Sequence, residues 1–488
     1  MPLASPASLA RALTTFASAV VLLVLTASAP TLAHARTWTD TQGRTLEADY
    51  VSTTTAEVTL RRADNRTFTL ALALLSADDR AFIAQQSSTL IGGMAPPSTP
   101  AKKFADLNTL LGIPLLVDAT LWDDSPADVA RRLKLPLEGK TDRFEGYRSY
   151  PNPPRSILGA DARMLSLQAA ESRITALTIQ FTNRGDYPGF KFDDERMTPS
   201  KQEIQTFEQV LKQDFDTLTA TLTAKLGAPK REVAVGGLDP GRRSLRWEWD
   251  SLVLLLNYDE LQMVSLKIIP AARVAVAPVS DAQIRQLFKD RIARRPNGDV
   301  ILDQIPMVNQ GPKGYCVPAT FERYLRYAGI PADMYELAAS GGTQFGGGSS
   351  FETMTHSLDR FVRRQGRRLE PVSIKLTAVT VARYIDEGRP LIWGLYSTES
   401  FNALADANTE ARQKSADAPP SKISLTPAEL ASFKIDPRTA HACLIIGYNR
   451  ATGEIALSDS WGPKFRERWV PAAVAQKISQ DEYWVLAW

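Results

Sequence analysis

The 488-residue sequence predicts a multidomain α+β protein. The length exceeds what one domain normally holds. Segments with strand-like alternation of apolar residues and segments with helical spacing both occur. Two stretches, residues 87–104 and 271–295, have the composition of linkers, and the second also contains a predicted helix. They divide the chain after residue 35 into three regions, residues 36–86, 105–270 and 296–488.

The net charge and the counts of reactive residues exclude several classes of protein. Lys and Arg number 57 against 54 Asp and Glu, so the overall charge does not point to nucleic acid as a partner. The chain has only three histidines, His34, His356 and His441, and two cysteines, Cys316 and Cys443. These counts exclude a disulfide-dense scaffold, a four-cysteine zinc site, a Cys-x-x-Cys redox pair and a His-Glu-x-x-His metalloprotease helix. We expect no metal and no organic cofactor.

The first 35 residues have the pattern of a secretory signal peptide. Arg11 is the only Lys, Arg, Asp or Glu among them, an uncharged stretch follows it, and Ala33 and Ala35 stand at the −3 and −1 positions of a cleavage site. We therefore expect a mature chain that begins at Arg36 and is exported to the periplasm, the cell envelope or the medium. An uncleaved membrane anchor is the alternative, since the apolar stretch is just long enough to span a bilayer. No later segment approaches a membrane span.

Residues 36–86 alternate short β-type runs with turn residues and end in a short predicted helix, with Ser76 as its N-cap. Three runs resemble the homology domain of endocytic actin-patch adaptors: Thr37-Trp-Thr-Asp40, Val58-Thr-Leu-Arg61 and Leu75-Ser76. This resemblance implies a small SH3-like β-barrel that binds a peptide ligand or simply packs against its neighbours.

Residues 105–270 form a predicted α+β domain whose role the sequence does not reveal. Apolar residues recur at helical spacing over residues 204–222. Strand-like alternation appears in residues 177–181 and around Trp247 and Trp249. We predict that the two tryptophans belong to the core of this domain and do not form a ligand platform.

Residues 296–488 contain the candidate chemistry. A loop rich in glycine and proline runs from Gln310 to Cys316 and leads into a predicted helix whose apolar face includes Phe321 and Leu325. Cys316 then lies at the helix N-terminus, where the helix dipole and free backbone N–H groups favour an anion. Such a position lowers a thiol pKa from its usual value of about 8.5 and favours the thiolate, which is the nucleophilic form.

Two predicted strands supply partners for this thiol. The first begins at His441 and ends near Tyr448, and the second ends at Asp459. Turn residues separate the strands, so we predict an antiparallel hairpin that brings Asp459 alongside His441. A carboxylate that accepts a hydrogen bond from one imidazole nitrogen fixes the tautomer and leaves the other nitrogen for the nucleophile.

The order of these motifs resembles that of the papain clan of cysteine peptidases. The shared features are a glutamine six residues before the cysteine, a His-Ala-x3-Ile-Gly-Tyr strand and a final x-Ser-Trp-Gly. Within that clan the motifs resemble those of the bacteriocin-processing type, family thirty-nine, over Ile301 to Trp488. The resemblance implies a papain-like fold for residues 296–488.

The resemblance also implies a role for each matching residue. Cys316 would be the nucleophile, His441 the general base and then the general acid, and Asp459 the residue that orients His441. Gln310 would donate a side-chain N–H to an oxyanion hole that the backbone N–H of Cys316 completes. Trp461 would shield the His441–Asp459 contact from water. Gly347 and Gly348 would pair with the substrate backbone.

The sequence therefore predicts an exported cysteine peptidase that hydrolyses peptides or proteins through a thioester acyl-enzyme. Two alternatives remain open, a transglutaminase-like acyltransferase with the same three residues and a catalytically inactive binding module of the cell envelope. Cys443 lies two residues after His441 and is predicted to pack in the core, with a disulfide to Cys316 as the alternative. The polar residues 397–438 are predicted to form a lid or a disordered insertion.

Overall fold

The computed structural model describes ten segments of the chain, residues 36–53, 57–62, 67–83, 104–117, 120–192, 198–233, 243–271, 280–311, 313–414 and 425–488. The predicted signal peptide and nearly all of the first predicted linker lie outside these segments. The described residues before Pro100 form one compact unit, and those after Ala101 form a second. No helix within the described segments is long and apolar enough to cross a membrane.

The first unit is an antiparallel sheet whose four strands follow the order of the chain, β1 (Arg36–Thr39), β2 (Thr45–Thr53), β3 (Glu57–Arg61) and β4 (Thr67–Ala71). A 3₁₀ turn and a short helix, α1 (residues 77–83), follow. The hydroxyl of Ser76 accepts the backbone N–H of Asp79 at 3.1 Å, so the predicted N-cap is confirmed. Trp38 is buried in this sheet, and its indole N–H donates to the carbonyl of Ala48 at 2.9 Å. The closure of these strands into an SH3-like barrel stays a prediction.

The first part of the second unit contains a large antiparallel sheet and three helices. The helices are α2 (Phe104–Leu111), α3 (Pro126–Leu133) and α4 (Lys201–Leu226). The strands are β5 (Leu137–Lys140), β6 (Phe144–Ser149), β7 (Arg155–Ile157), β8 (Ala160–Ala162), β9 (Met164–Ala170), β10 (Arg173–Asn183), β11 (Lys230–Val233), β12 (Arg243–Trp249), β13 (Leu252–Asp259) and β14 (Met263–Pro270). Eight of them form what we call the middle sheet, in the order β11-β12-β13-β14-β10-β9-β6-β5, and β7 pairs with β8.

Helix α4 covers one face of the middle sheet. It begins with a capping box in which Ser200 and Glu203 exchange hydrogen bonds with each other's backbone N–H groups. Its buried residues, at the helical spacing that the sequence predicts, are Phe207, Leu211, Leu218 and Leu222. Trp247 and Trp249 are buried in the same apolar cluster, so their predicted place in the core is confirmed. Burial of each such side chain stabilises the fold by about 1.5–3 kcal/mol.

The second part of the unit surrounds another antiparallel sheet. Its helices are α5 (Asp281–Asp290), α6 (Cys316–Tyr327), α7 (Met334–Ser340), α8 (Phe351–Arg364), α9 (Ala378–Ile385), α10 (Glu399–Lys414), α11 (Pro427–Ser432) and α12 (Ala472–Lys477). Its strands are β15 (Ile292–Arg294), β16 (Val300–Leu302), β17 (Arg368–Pro371), β18 (Leu391–Tyr396), β19 (Ala440–Asn449), β20 (Glu454–Ser458), β21 (Arg468–Pro471) and β22 (Ser479–Ala487). The main sheet has the order β15-β16-β19-β18-β22-β17, with β20 paired to β19 and β21 to β20. The predicted α+β class is confirmed.

The other face of the middle sheet is polar in sequence but buried in the structure. On β10, Thr178, Gln180 and Thr182 alternate with the apolar residues, and Gln180 is fully buried. Met164, opposite Gln180 on β9, packs in one cluster with Tyr315 and with residues of α6 and α7. The region that follows residue 280 therefore covers this face, and the start of α6 lies against the middle sheet.

Candidate active site

Cys316 is the first residue of α6. The loop that precedes it ends at Tyr315, whose side chain does not cap the helix, so the N-terminal N–H groups of α6 are not satisfied by a side-chain cap. Cys316 is only 9% exposed. Thr320, on α6, donates its hydroxyl to the backbone carbonyl of Ala442 at 3.1 Å. This hydrogen bond fixes α6 against strand β19. Sequence and structure agree that the thiol lies at a helix N-terminus.

Strand β19 carries His441 next to this thiol. The predicted hairpin is confirmed, because β19 and β20 pair antiparallel with Leu444 opposite Ser458. This pairing brings Asp459, which follows β20 directly, to the imidazole: His441 Nε2 lies 2.9 Å from Asp459 Oδ1. His441 and Asp459 are both buried. Since Nε2 donates to the carboxylate, Nδ1 is the ring nitrogen that remains for the thiol.

The thiol of Cys316 lies within reach of the imidazole of His441, and each group shifts the pKa of the other. Burial raises the pKa of the Cys316 thiol, but His441, together with backbone N–H groups, outweighs it, so the net pKa lies below its ordinary value. Burial lowers the pKa of His441, but Asp459 and Cys316 outweigh it and raise the pKa to about 9. Both shifts favour a thiolate beside an imidazolium.

Arg468 is a partner of Asp459 that the sequence analysis missed. Its Nη1 donates to Asp459 Oδ2 at 2.8 Å, and the two side chains are almost fully buried. Burial raises the pKa of Asp459, but His441 and Arg468 outweigh it and hold the pKa below its usual value. Arg468 in turn contacts Asn402 and Asp406 of α10. A charged residue on an otherwise apolar strand, β21, was the sequence signal that a buried partner exists.

The segment predicted to be a lid or an insertion is therefore partly a support for the site. Within residues 397–438, the structure describes helices α10 and α11. Besides its contacts with Arg468, α10 places Arg412 in a buried cluster with Asp299 and Glu454. Residues 415–424 lie outside the described residues.

Trp461 stacks on the imidazole of His441. The two ring centroids are 4.5 Å apart and the planes differ by 28°. Phe465 packs edge-on against the indole of Trp461, with the ring centroids 5.5 Å apart. Trp461 is thus placed where it covers the imidazole that contacts Asp459.

Gln310 is held in one orientation by its neighbours. The hydroxyl of Ser460 donates to its Oε1 at 2.7 Å, and its backbone N–H donates to the carbonyl of Ser460 at 2.9 Å. One Nε2 hydrogen donates to the carbonyl of Lys313 at 2.8 Å. Because an amide NH₂ has two hydrogens, one remains for a further acceptor. Ser460, like Arg468, was not identified from the sequence.

Gly347 and Gly348 lie beside the loop that leads to Cys316. Gly347 forms a parallel bridge with Gly314, and an added Cβ at Gly347 would come within 2.5 Å of the Gly314 backbone. Gly348 donates its N–H to the carbonyl of Gly314 at 2.7 Å, and Gly347 donates its own to Gln344. These N–H groups are therefore engaged inside the protein. The expected pairing with substrate stays a prediction.

The second thiol has different surroundings. Cys316 and Cys443 are both free, and the disulfide alternative is absent from the structure. Cys443 is fully buried in the apolar cluster that includes Trp393, whereas Cys316 belongs to the cluster that includes Phe321. The predicted core position of Cys443 is confirmed. His356 is exposed on α8.

One comparison with known proteins gives a match, and it lies in the C-terminal part of the chain. The model of the Peptidase_C39 like family matches residues 302–485, which contain Gln310, Cys316, His441 and Asp459. No curated protein matches the chain. Among the described residues, no group of three or more His, Cys, Asp or Glu side chains is arranged to hold a metal ion. The family match covers less than half of the chain and supports a C-terminal region similar to papain-clan cysteine peptidases.

Proposed function

We propose that this protein is an exported cysteine peptidase that hydrolyses peptide bonds with Cys316, His441 and Asp459. The proposal rests above all on one observation, the continuous buried contact from the Cys316 thiol through His441 and Asp459 to Arg468. The match to the peptidase family model is a second, independent support. A structural histidine needs neither a thiol partner nor a carboxylate fixed by an arginine.

The proposed reaction follows from these contacts. The Cys316 thiolate attacks the substrate carbonyl carbon, while Gln310 and the backbone N–H of Cys316 stabilise the negative charge on the oxygen. The C–N bond then breaks, and the imidazolium of His441 gives its proton to the departing amine. Water attacks the resulting thioester, His441 accepts a proton from it, and the C–S bond breaks. The acid is released and the thiolate–imidazolium pair is restored.

Two further parts of the proposal concern the N-terminal residues. Cleavage after Ala35 would release the mature chain outside the cytoplasm, as the composition of residues 1–35 predicts. The first unit would then present its SH3-like barrel to a peptide ligand. Mass spectrometry of the protein secreted by the cell tests the first statement, because the mature N-terminus should be Arg36.

The test of the enzymatic proposal uses the chain from Arg36 and a mixture of peptides analysed by mass spectrometry. We expect cleavage that is abolished in Cys316→Ala and retained in Cys443→Ala, the matched removal of the other thiol. Cleavage that survives in Cys316→Ala would contradict the proposal. Binding of peptides without cleavage by the wild-type protein would favour the inactive binding module.

The same assay distinguishes hydrolysis from acyl transfer. A small amine is added to the reaction, and the products are identified by mass. We expect the free acid as the main product, because water accepts the acyl group. Amide products in excess over the acid would support the acyltransferase, which uses the same residues with an amine in place of water.

A further inference from the structure

Asn309, the residue that precedes Gln310, is attached to the middle sheet. The backbone N–H of Asn309 donates to Glu138 Oε1 at 2.6 Å, and its carbonyl accepts the hydroxyl of Tyr150 at 2.7 Å. The N–H and the carbonyl of Asn309 are thus held by two side chains, one from β5 and one from the residue after β6. Gln310 follows directly, so these two contacts, together with the hydrogen bond from its own N–H to the carbonyl of Ser460, fix its backbone position.

The loop that contains Gln310 is attached again just before Cys316. The side chain of Lys313 is fully buried, and its Nζ lies 3.6 Å from Asp186 and 4.3 Å from the centre of the Tyr150 ring. The hydroxyl of Tyr315 donates to Asn183 Oδ1 at 2.7 Å. Asn183 is the last residue of β10, and Asp186 lies three residues beyond it.

The loop and the middle sheet approach each other more closely than side chains normally allow. An added Cβ at Gly185 would lie 2.1 Å from a ring carbon of Tyr315. Any side chain at this position would displace the residue directly before Cys316. The close packing of Tyr315 against the residues that follow β10 therefore requires a glycine at position 185.

These contacts bracket the amide that would stabilise the oxyanion. Gln310 Nε2 donates to the carbonyl of Lys313, so the peptide groups on both sides of Gln310 determine where its remaining N–H points. A misplacement of about 1 Å costs about 10²-fold in rate for catalytic groups in general. A loop without regular structure needs such external attachment to hold a donor in place.

We infer that Tyr150 and Glu138 of the middle region are positioning residues for the proposed peptidase reaction, acting through Asn309 on Gln310. The inference rests on the proposed function. It makes residues 105–270 an integral part of the site. Neither residue touches the reacting atoms; each acts on the loop.

The test compares Tyr150→Phe with Tyr147→Phe in the chain from Arg36. Both substitutions remove one hydroxyl from the same edge of the middle sheet, but the Tyr147 hydroxyl donates to Glu145 and has no contact with the loop. We expect Tyr150→Phe to lower kcat by about 10-fold or more with KM changed less than twofold. Tyr147→Phe should change neither constant. The iodoacetamide alkylation rate of Cys316 should stay unchanged in both variants, because alkylation builds no oxyanion.

Hydrogen exchange supplies the second readout. Amide exchange in peptic fragments that contain Asn309–Gly311 should accelerate in Tyr150→Phe and not in Tyr147→Phe. Equal exchange of the loop in the two variants, or an unchanged kcat in Tyr150→Phe, would overturn the inference while leaving the peptidase proposal intact. If the wild-type protein cleaves no peptide, the proposed function fails, and the exchange comparison then decides by itself whether Tyr150 holds the loop.

Discussion

The two cysteines show how strongly the immediate surroundings of a thiol decide its chemistry. Both are buried within the same sheet-and-helix region, yet the net pKa of Cys316 is lowered and that of Cys443 is raised. For Cys443, burial is the largest cause and the carboxylate of Asp459 adds to it. For Cys316, burial acts in the same direction, but the contact with His441 outweighs it.

The difference teaches that one imidazole partner separates an inert thiol from an activated one. Burial alone disfavours the charged form of any thiol. Cys443 has no imidazole partner: burial and Asp459 raise its pKa and outweigh the charges of Arg468 and Arg323, which lower it, so the net pKa is raised. The comparison therefore predicts that a change at His441 affects Cys316 strongly, and that a change at Cys443 has little effect on the other thiol.

The largest effect is expected for His441→Ala. Without the imidazole, burial is no longer outweighed and the Cys316 pKa returns to or above that of an ordinary thiol. At pH 6 the iodoacetamide alkylation rate of Cys316 should fall by about 10²-fold, and peptide hydrolysis by about 10⁴-fold. His356→Ala, which removes an exposed histidine from α8, is the matched control and should change neither rate. Equal alkylation in the wild type and in His441→Ala would break the comparison.

A smaller effect is expected for Gln310→Ala. This change removes the proposed oxyanion donor but leaves the contact between Cys316 and His441 in place. Hydrolysis should fall by about 10²–10³-fold, while the alkylation rate of Cys316 stays within twofold of the wild type. The two rates, measured on the same preparation, separate activation of the thiol from stabilisation of the transition state. A parallel loss of both would mean that Gln310 acts on the thiol itself.

The sequence predicts the parts of the site that depend on local order. The hairpin of β19 and β20, the helix after Cys316 and the cap at Ser76 follow from turn residues, apolar spacing and capping preferences. These signals lie within a few residues of the elements that they predict. The meeting of Cys316, His441 and Asp459 then follows from a hairpin of correct register and from the resemblance in motif order.

Contacts between distant segments could not be predicted in this way. Alternation on β10 shows that Thr178, Gln180 and Thr182 share a face, but it does not show that another region covers that face. Arg468 and Ser460 contact the site only after β21 and the residues following β20 are in place. The attachment of Asn309 to Tyr150 joins residues 159 positions apart. Such contacts depend on tertiary packing, which a local pattern does not encode.

The pH dependence gives the next prediction, a change of about tenfold per pH unit at each limb. Hydrolysis needs the thiolate of Cys316 and the imidazolium of His441 together. It should rise with pH on an acid limb that lies below the pKa of an ordinary thiol, and it should fall above pH about 9, where His441 loses its proton. Alkylation needs only the thiolate and should not fall on the alkaline side. Hydrolysis that still rises above pH 9 would contradict the paired state of the two groups.

The smallest effect is expected for Cys443→Ala. The side chain is fully buried among apolar neighbours, so its truncation should lower the free energy of unfolding by about 1 kcal/mol. Cys443→Ser places a hydroxyl in the same apolar cluster and should cost more, about 1–3 kcal/mol, if the hydroxyl finds no partner. Denaturant unfolding measures these losses of stability. Both variants should keep the wild-type kcat in peptide hydrolysis and the wild-type alkylation rate of Cys316 in labelling. A fall in the Cys316 labelling rate that follows the loss of Cys443 would show that the two thiols are coupled through β19, and that one partner alone does not explain their difference.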